Sequence, residues 1–467
     1  MKYKSLLLSV AASTIVYPVY ADETGDEDNR QDTVVVETSR LGQTAREIGT
    51  AVTIIDAAAI ERLGAEFAFD AIATAPGVTF NQSGAFGGQT SLRIRGADSE
   101  QTLVLIDGVP VNDASTPGGG YDFARLEADS IARIEVLRGA QSTLWGSDAI
   151  GGVVSITTKT ADEGLSAGLV GEYGSFNTRK GAVNLGYADN RGDVRFAYSN
   201  LSTDGISKAD ENNGNSEDDG FDSQNIYLNG GLNLPGGARL AANVAWSSAD
   251  TEYDSFVFAN GVFALADSDY LNKSDTISAN AVLSGALFDG LLNNTLTVGL
   301  SEIDRDDFQN GAFSFGYEGK RRIARYQGDV VLTPQNKLAF GAEREETDAE
   351  DGVAFEDDAT INSLFALYEF KPIDSLTLTG GLRWDDHSEF DAETTARFAV
   401  AYQVVDYATL RASWGQGFKA PTLFQTSYIC GFCGLTAPNP NITPETSTAF
   451  DVGLDLVSPS GRAEASI

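Results

Sequence analysis

Residues Ile134–Lys159 read IEVLRGAQSTLWGSDAIGGVVSITTK. Two glycine-punctuated turns separate short β-branched runs, and no apolar repeat of helical period runs through the stretch. It therefore predicts a compact, sheet-like unit without a helix.

Upstream, Lys2 and Lys4 precede an apolar run from Leu6 to Val16, followed by Val19-Tyr20-Ala21 and acidic Asp22. This is the pattern of a cleaved secretory signal over residues 1–21, since the run is shorter than the roughly 20 apolar residues of a spanning helix. Losing its two lysines takes the formal charge from -35 to -37, which argues against nucleic acid as a partner. Cys430 and Cys433 are the only cysteines, and export predicts a local disulfide between them.

Residues 22–40 read as a flexible arm. Asp22 to Gln31 is acidic and polar, and Asp32, Thr33, Val34, Val35 and Val36 follow as an extended segment suited to adding to a partner's sheet. A first strand of the following domain is the alternative for these valines. From 41 to 160, short helix and strand signals alternate and predict a small α+β domain, with Asp56 as the N-cap of a helix.

From about Ser166 onward, apolar and polar residues alternate with period two. Val183-Leu185-Tyr187, Ile226-Leu228, Leu232-Leu234, Leu240-Ala242-Val244-Trp246 and Leu296-Val298-Leu300 are outward sets, as are Leu376-Leu378-Leu382-Trp384, Phe398-Val400-Tyr402-Val404 and Phe450-Val452-Leu454-Leu456. Short turns such as Pro235-Gly236-Gly237, Pro334-Gln335 and Lys371–Asp374 interleave with long acidic loops expected near 202–222, 248–273, 303–320, 344–360 and 415–446. The pattern amounts to about 14 strands, and 49 glycines with 42% apolar residues suit a membrane barrel.

Together with Ala75-Pro76-Gly77-Val78, Leu92–Gly96 and Leu103–Pro110, in this order and spacing, the opening run resembles the plug of TonB-dependent outer-membrane receptors. Gly417–Pro421 and Asn439–Glu445 look like the same family's barrel, although Lys419 stands where relatives more often carry arginine. The cobalamin branch is nearest, on the phrase Gly146–Val154, the short arm and the compact early hairpins. The resemblance implies a mainly β protein: a transmembrane antiparallel β-barrel over 161–467 with an N-terminal α+β plug over 41–160 in its lumen. Family barrels close with 22 strands and a plugged lumen, so the chain is expected to lack its last strands.

By the same resemblance, Asp32, Thr33, Val34, Val35 and Val36 form the TonB box, and a monomer imports a scarce metal chelate across the outer membrane. Cobalamin leads as cargo, ahead of ferric siderophores, other chelates and sugars; no covalent chemistry is required. Ligand contacts are expected from Asn81, Gln82, Ser83, Phe86 and Gln89 in one plug loop and from Asp113 and Tyr121 in another. Phe86 and Tyr121 could instead pack on their own barrel, and loop glycines would admit a bulky ligand.

The segment Thr203–Asp222 holds seven acids against one lysine. Calcium, which takes six to eight oxygens, would relieve their repulsion, and the resemblance places Asp204, Glu217, Asp218, Asp219, Asp250 and Asp254 in such a site. A solvated acidic loop is the alternative. Glu343–Asp358 holds nine carboxylates and one arginine, open to solvation or to cation bridging of lipopolysaccharide. Arg93 and Arg95 are expected as structural ion-pair partners facing the barrel wall.

Two other classes of function fit parts of the sequence. A passive porin would share the alternating strands but leave the plug-like residues without a role. A hydrolase needs a histidine held by a carboxylate beside a nucleophile. The sole histidine, His387, follows Asp385 and Asp386 with no serine tied to it, and reads as a surface residue.

Overall fold

The computed structural model describes residues 35–84, 86–210, 212, 215–259, 262–351, 356–427, 429, 437, 441–457 and 464–466. The signal segment, Asp32, Thr33, Val34, Cys430 and Cys433 lie outside the described residues.

The arm enters as β1 (Val35–Val36), which pairs antiparallel with β2 (Gln43–Thr44). The plug follows with β3 (Val52–Asp56), α1 (Ala57–Leu63), α2 (Ala68–Ile72), β4 (Val78–Gln82), β5 (Thr90–Ile94), β6 (Thr102–Ile106), β7 (Val109–Pro110), β8 (Ile131–Arg138), α3 (Ser142–Trp145) and β9 (Gly152–Thr158). Asp56 caps α1 as expected: its carboxylate accepts from the Ala59 amide at 2.7 Å, and Gly64 ends the helix at φ 62°.

Five of these strands form one sheet in the order β3-β8-β9-β6-β7, with β6 parallel to β9 and the other neighbours antiparallel. The opening run supplies its centre, β8 and β9, where Ile134, Val136, Val154 and Ile156 are fully buried. One expectation fails there. Ser142–Trp145 is a helical turn, too short to show a helical apolar period, and Leu144 packs it against Ala339, Phe365 and Leu367 of the surrounding wall.

That wall is an antiparallel sheet of fifteen strands in sequence order among the described residues. They are β10 (Gly164–Tyr173), β11 (Arg179–Asp189), β12 (Gly192–Thr203), β13 (Phe221–Asn233), β14 (Arg239–Ala259), β15 (Val262–Leu287), β16 (Leu292–Gln309), β17 (Ala312–Thr333), β18 (Asn336–Glu350), β19 (Glu356–Ile373), β20 (Leu376–His387), β21 (Glu393–Val405), β22 (Ala408–Lys419), β23 (Glu445–Val457) and the three-residue β24 (Glu464–Ser466). Among the described residues no helix is long and apolar enough to cross a membrane.

Alternation sorts the strand residues as the sequence predicts. Leu185, Leu228, Leu232, Leu296, Val298, Leu382, Phe398, Phe450 and Val452 are exposed on the outside. Asn229, Thr379, Arg383 and Arg411, of opposite parity, are buried on the inside.

Three of the expected long loops, 248–273, 303–320 and 344–360, are largely strand instead, and Arg93 is paired within the plug. β14 and β15 stay paired up to Ala259↔Val262, β16 and β17 to Gln309↔Ala312, and β18 and β19 to Glu350↔Glu356. A membrane strand needs about 9–11 residues, so the 26-residue β15 rises far beyond a bilayer. Arg93 pairs with Asp98 at 2.8 Å, whereas Arg95 reaches Asp451 on β23.

The plug touches nearly every strand around it. Gln43 donates to Thr379 at 3.0 Å, Arg397 to Thr50 at 2.9 Å, Asn229 to Thr158 at 2.6 Å and Ser301 to the Pro110 carbonyl at 2.8 Å. Ion pairs add Lys180 with Glu66 at 2.6 Å and Lys419 with Asp148 at 2.7 Å.

Candidate ligand cavity and cation cluster

Two plug loops rise beside the extended hairpins. β4 and β5 pair from Val78↔Ile94 to Gln82↔Thr90, and the Ser83 amide continues the ladder to the Gln89 carbonyl at 3.0 Å. The second loop follows β7. Buried Asn112 stitches it down, donating to the Thr102 and Gly119 carbonyls at 3.0 Å each and accepting from the Val104 amide at 2.8 Å. Asp122 joins the two loops by accepting from the Thr90 amide at 2.8 Å.

Between these loops and β14–β17 lies a cavity of 760 Å³. Ser83, Gln89 and Tyr121, three of the residues expected to contact ligand, line it. Tyr121 stands at right angles to Phe123, 4.9 Å away, and burial pushes its hydroxyl well above the usual phenol range, so it presents a neutral face and a hydrogen-bonding tip.

The other expected contacts lie outside the cavity. Asn81 and Gln82 are exposed on β4. Phe86 turns toward Phe67, 5.9 Å between centroids, in a cluster with Leu201, Phe221 and Ala249. Asp113 is buried: it accepts from the Ser115 amide and hydroxyl at 2.9 and 2.6 Å and pairs with Arg305 of β16 at 3.1 Å. Gly87 makes room for the barrel, since at φ +69° a Cβ there would overlap the Phe221 ring.

The sequence did not single out Arg125, Tyr253, Asn272, Arg305 and Tyr317, which also line it. Four of them sit on strand extensions that read as loops. The cavity's cations are already engaged: Arg125 with Asp122 at 3.3 Å and with Asn272 at 2.7 Å, and Arg305 with Asp113. Arg305 also stands 5.8 Å over the Tyr317 ring, and the Lys208 ammonium donates to the Glu252 carbonyl.

Beside the cavity, Glu217, Asp219 and Asp254 each bring a carboxylate oxygen to within 4.8 Å of the others. Asp254 accepts from the Ala209 amide at 2.7 Å and the Ser268 amide at 3.0 Å, and Asp219 accepts from the Lys208 amide at 2.6 Å. Burial first, then mutual repulsion with Asp254, raises the Asp219 carboxyl to about 6. Burial followed by Asp219, Asp254, Asp267 and Glu252 raises Glu217 to about 7.

Asp219 is 1% exposed and its Oδ1 has no hydrogen-bond partner, so a hard cation fits these donors. The other expected ligands stand apart from this group. Asp250 pairs with Lys273 at 2.8 Å, Asp204 lies near the Asn177 amide at 3.4 Å, and Asp218 is exposed. His387 accepts from the Glu389 amide at 3.0 Å and packs against Phe390, as an ordinary surface histidine does.

Two family models match the chain: the TonB-dependent Receptor Plug Domain over residues 44–153, and the TonB dependent receptor-like beta-barrel over residues 166–467. The chain is 27% identical over 463 residues to the vitamin B12 transporter BtuB of Vibrio vulnificus, covering 96% of this chain and 71% of that one. It is also 27% identical over 454 residues to BtuB of Photobacterium profundum, at 97% and 71% coverage.

Among solved structures, the siderophore receptor PirA from Acinetobacter baumannii aligns with a TM-score of 0.72 at 18% identity, over 87% of this chain and 68% of that one. A point-mutant ferric enterobactin receptor PfeA from Pseudomonas aeruginosa gives 0.72 at 19% identity, over 91% and 70%. These structural likenesses establish the fold. With both domain models covering most of its length, the chain belongs to the TonB-dependent receptor family, a family of transporters and receptors rather than enzymes.

Proposed function

We propose that this protein imports a bulky, scarce metal chelate across the Gram-negative outer membrane, with cobalamin as the foremost cargo. TonB supplies the work by adding a strand to Asp32–Val36 and pulling on the arm. The observation that carries this reading is the 760 Å³ cavity walled jointly by plug and barrel. A ligand there touches both the part that would move and the part that stays, which transport by plug rearrangement requires.

Electrostatics favours a ligand of low charge. Arg125 and Arg305 are neutralised by Asp122 and Asp113, and the chain is strongly acidic overall. A ferric chelate with several negative charges would meet no free cationic surplus, whereas a near-neutral cobalamin would meet aromatic faces and hydrogen-bonding groups. Tyr121, Tyr253 and Tyr317 supply the faces, and Ser83 and Gln89 the polar groups. Glu217, Asp219 and Asp254 would hold calcium and order the adjoining loop. The outward apolar residues would face lipid, with lipopolysaccharide outside.

The test is a binding titration of the full-length protein with cyanocobalamin and with ferric chelates, each with and without calcium. Tight, calcium-dependent binding of cobalamin alone is expected. Preference for a ferric chelate would move the cargo to a siderophore, and uptake that persists after the proton gradient is collapsed would favour a passive porin.

A further inference from the structure

Glu127 lies in the plug between Arg125 and β8, and it is 1% exposed. One carboxylate oxygen accepts from the Ser223 hydroxyl at 2.7 Å and the Asn225 amide at 2.8 Å, and the other accepts from the Ser199 hydroxyl at 2.8 Å. All three donors are neutral and all belong to the barrel, on β12 and β13. Among the described residues no cation stands within ion-pair distance of Glu127.

The lysines around it are engaged elsewhere. Lys180 on β11 holds Glu66 and Asp129 of the plug, at 2.6 Å each. Lys159 donates to the Asp129 carbonyl at 2.8 Å, and Arg195 of β12 is itself buried. Tyr227 of β13, also buried, faces the same region. The plug therefore turns three carboxylates, Glu66, Asp129 and Glu127, toward a wall where Lys180 pairs with the first two alone.

We infer that Glu127 is a built-in release element of the plug: it fixes the plug's register on β12 and β13 while its ionised form lowers the free energy of drawing the plug away. Two tendencies compete. Three short hydrogen bonds define the position of the carboxylate, but an unpaired charge buried among neutral donors is less well stabilised than in water. Consistent with this, burial is the foremost cause raising the Glu127 carboxyl above the usual carboxylate range, partly offset by the serine hydroxyls and by the more distant Lys180 charge, against which Asp129 acts.

The sign follows from linkage. A carboxyl raised in the docked plug favours docking when protonated, so docking is firmest below its undocked range and loosens as pH rises through the docked value. Wherever the carboxyl is ionised, the plug is held in the looser condition. Backbone pairing of Glu127 with Phe67, which packs on Phe86 and Phe221, connects the element to the plug loop beside the cavity.

The inference rests on the plug moving during transport, yet it can be tested without any cargo. Amide exchange of β8 and β9 is followed in the full-length protein, corrected for intrinsic pH dependence, with barrel amides as the internal reference. Glu127→Gln keeps an acceptor for Ser223 and Asn225 and can donate to Ser199. It should slow plug exchange several-fold at pH 7.5 and match the wild type near pH 5. Glu127→Ala strands three buried donors and should speed exchange at both pH values. Acceleration by Glu127→Gln at pH 7.5 would overturn the inference, because the ionised carboxylate would then be a net clasp; equal exchange in all three proteins would overturn it too. Failure of cobalamin uptake alone would count against the proposed cargo and leave these exchange results standing.

Discussion

Arg40 lies 3.6 Å from Glu343, joining the last residues of the arm to β18 of the barrel. Its guanidinium stands 4.0 Å from the centroid of Trp145 and 4.8 Å from that of Phe365, and its carbonyl accepts from Gln327 at 2.9 Å. Glu343 also holds Arg325 and, at 2.8 Å, Arg383. A pull on Val35 and Val36 would reach this junction four residues later. Trp145 lies within Ile134–Lys159, so the plug's central run, the arm and the wall meet at one guanidinium.

Arg40→Ala should therefore loosen the arm while leaving the barrel intact, because Glu343 keeps two arginines. Losing a desolvated cation–π contact costs about 2 kcal/mol, roughly thirtyfold in a local opening constant. Amide exchange at Val36 and Thr44 should rise by about that factor, with β18 amides unchanged. Equal exchange in both proteins would mean that the arm is held by the β1–β2 pairing alone.

Cation binding at Glu217, Asp219 and Asp254 should depend steeply on pH. Both raised carboxyls, at about 6 and about 7, are partly protonated in mild acid and must lose their protons to ligate. Affinity for calcium should climb between pH 5.5 and 7.5 and level off above. Without metal the sign reverses for the loop itself: it becomes less stable as pH rises through the same window, because repulsion grows as the raised carboxyls ionise. Calorimetric titration with calcium at three pH values reads the first effect, and Asp219→Asn should abolish most of the binding. A flat pH profile would argue for solvation of the acidic loop.

Much of the barrel was legible because a wall with an apolar outside and a polar inside forces period-two alternation on every strand, as at Leu296-Val298. The extended hairpins were not, since above the membrane neither lipid nor a packed plug fixes the character of each face, and regular alternation lapses: Phe256, Phe258, Phe313 and Phe315 are exposed among acidic residues. Cross-strand charge pairs mark them instead: Arg322 opposes Glu346 and contacts Asp348 at 2.7 Å, and Lys320 opposes Glu302.

The three members of the cation cluster were all named from the sequence, together with Asp204, Asp218 and Asp250, which stand apart. Glu217 and Asp219 are conspicuous in an acid-rich loop, and Asp254, which followed from the resemblance, reaches them because β14 continues upward. Glu127 carried no sequence signal, because its meaning depends on Ser199, Ser223 and Asn225, brought to it by register. Phe86 and Asp113 sat in the right loops with the wrong orientation, which depends on packing against Phe221 and Arg305.

Gly87 offers a cleaner probe of the ligand loop than the residues beside it. At φ +69° an added Cβ is strained by about 1–2 kcal/mol, and here it would also press on the Phe221 ring. Gly87→Ala should displace Ser83 and Gln89 and weaken cyanocobalamin binding by tenfold or more, with the barrel's thermal transition unchanged. Unaltered affinity would indicate that this loop lies outside the ligand footprint.

Val35→Pro separates binding from energy coupling. Val35 opposes Thr44 in the short β1–β2 pair, and proline there fixes φ and removes one N–H from any strand the arm offers to TonB. The cavity lies at the other plug loops, so binding of cyanocobalamin should keep its affinity while accumulation driven by the proton gradient is lost. The same substitution also weakens β1 against β2, so a mutant that still transports would show that the grip lies elsewhere in the arm. A loss of binding as well as transport would instead tie the arm to the cavity through the Arg40–Trp145 junction, the contact that joins the arm to the run between β8 and β9.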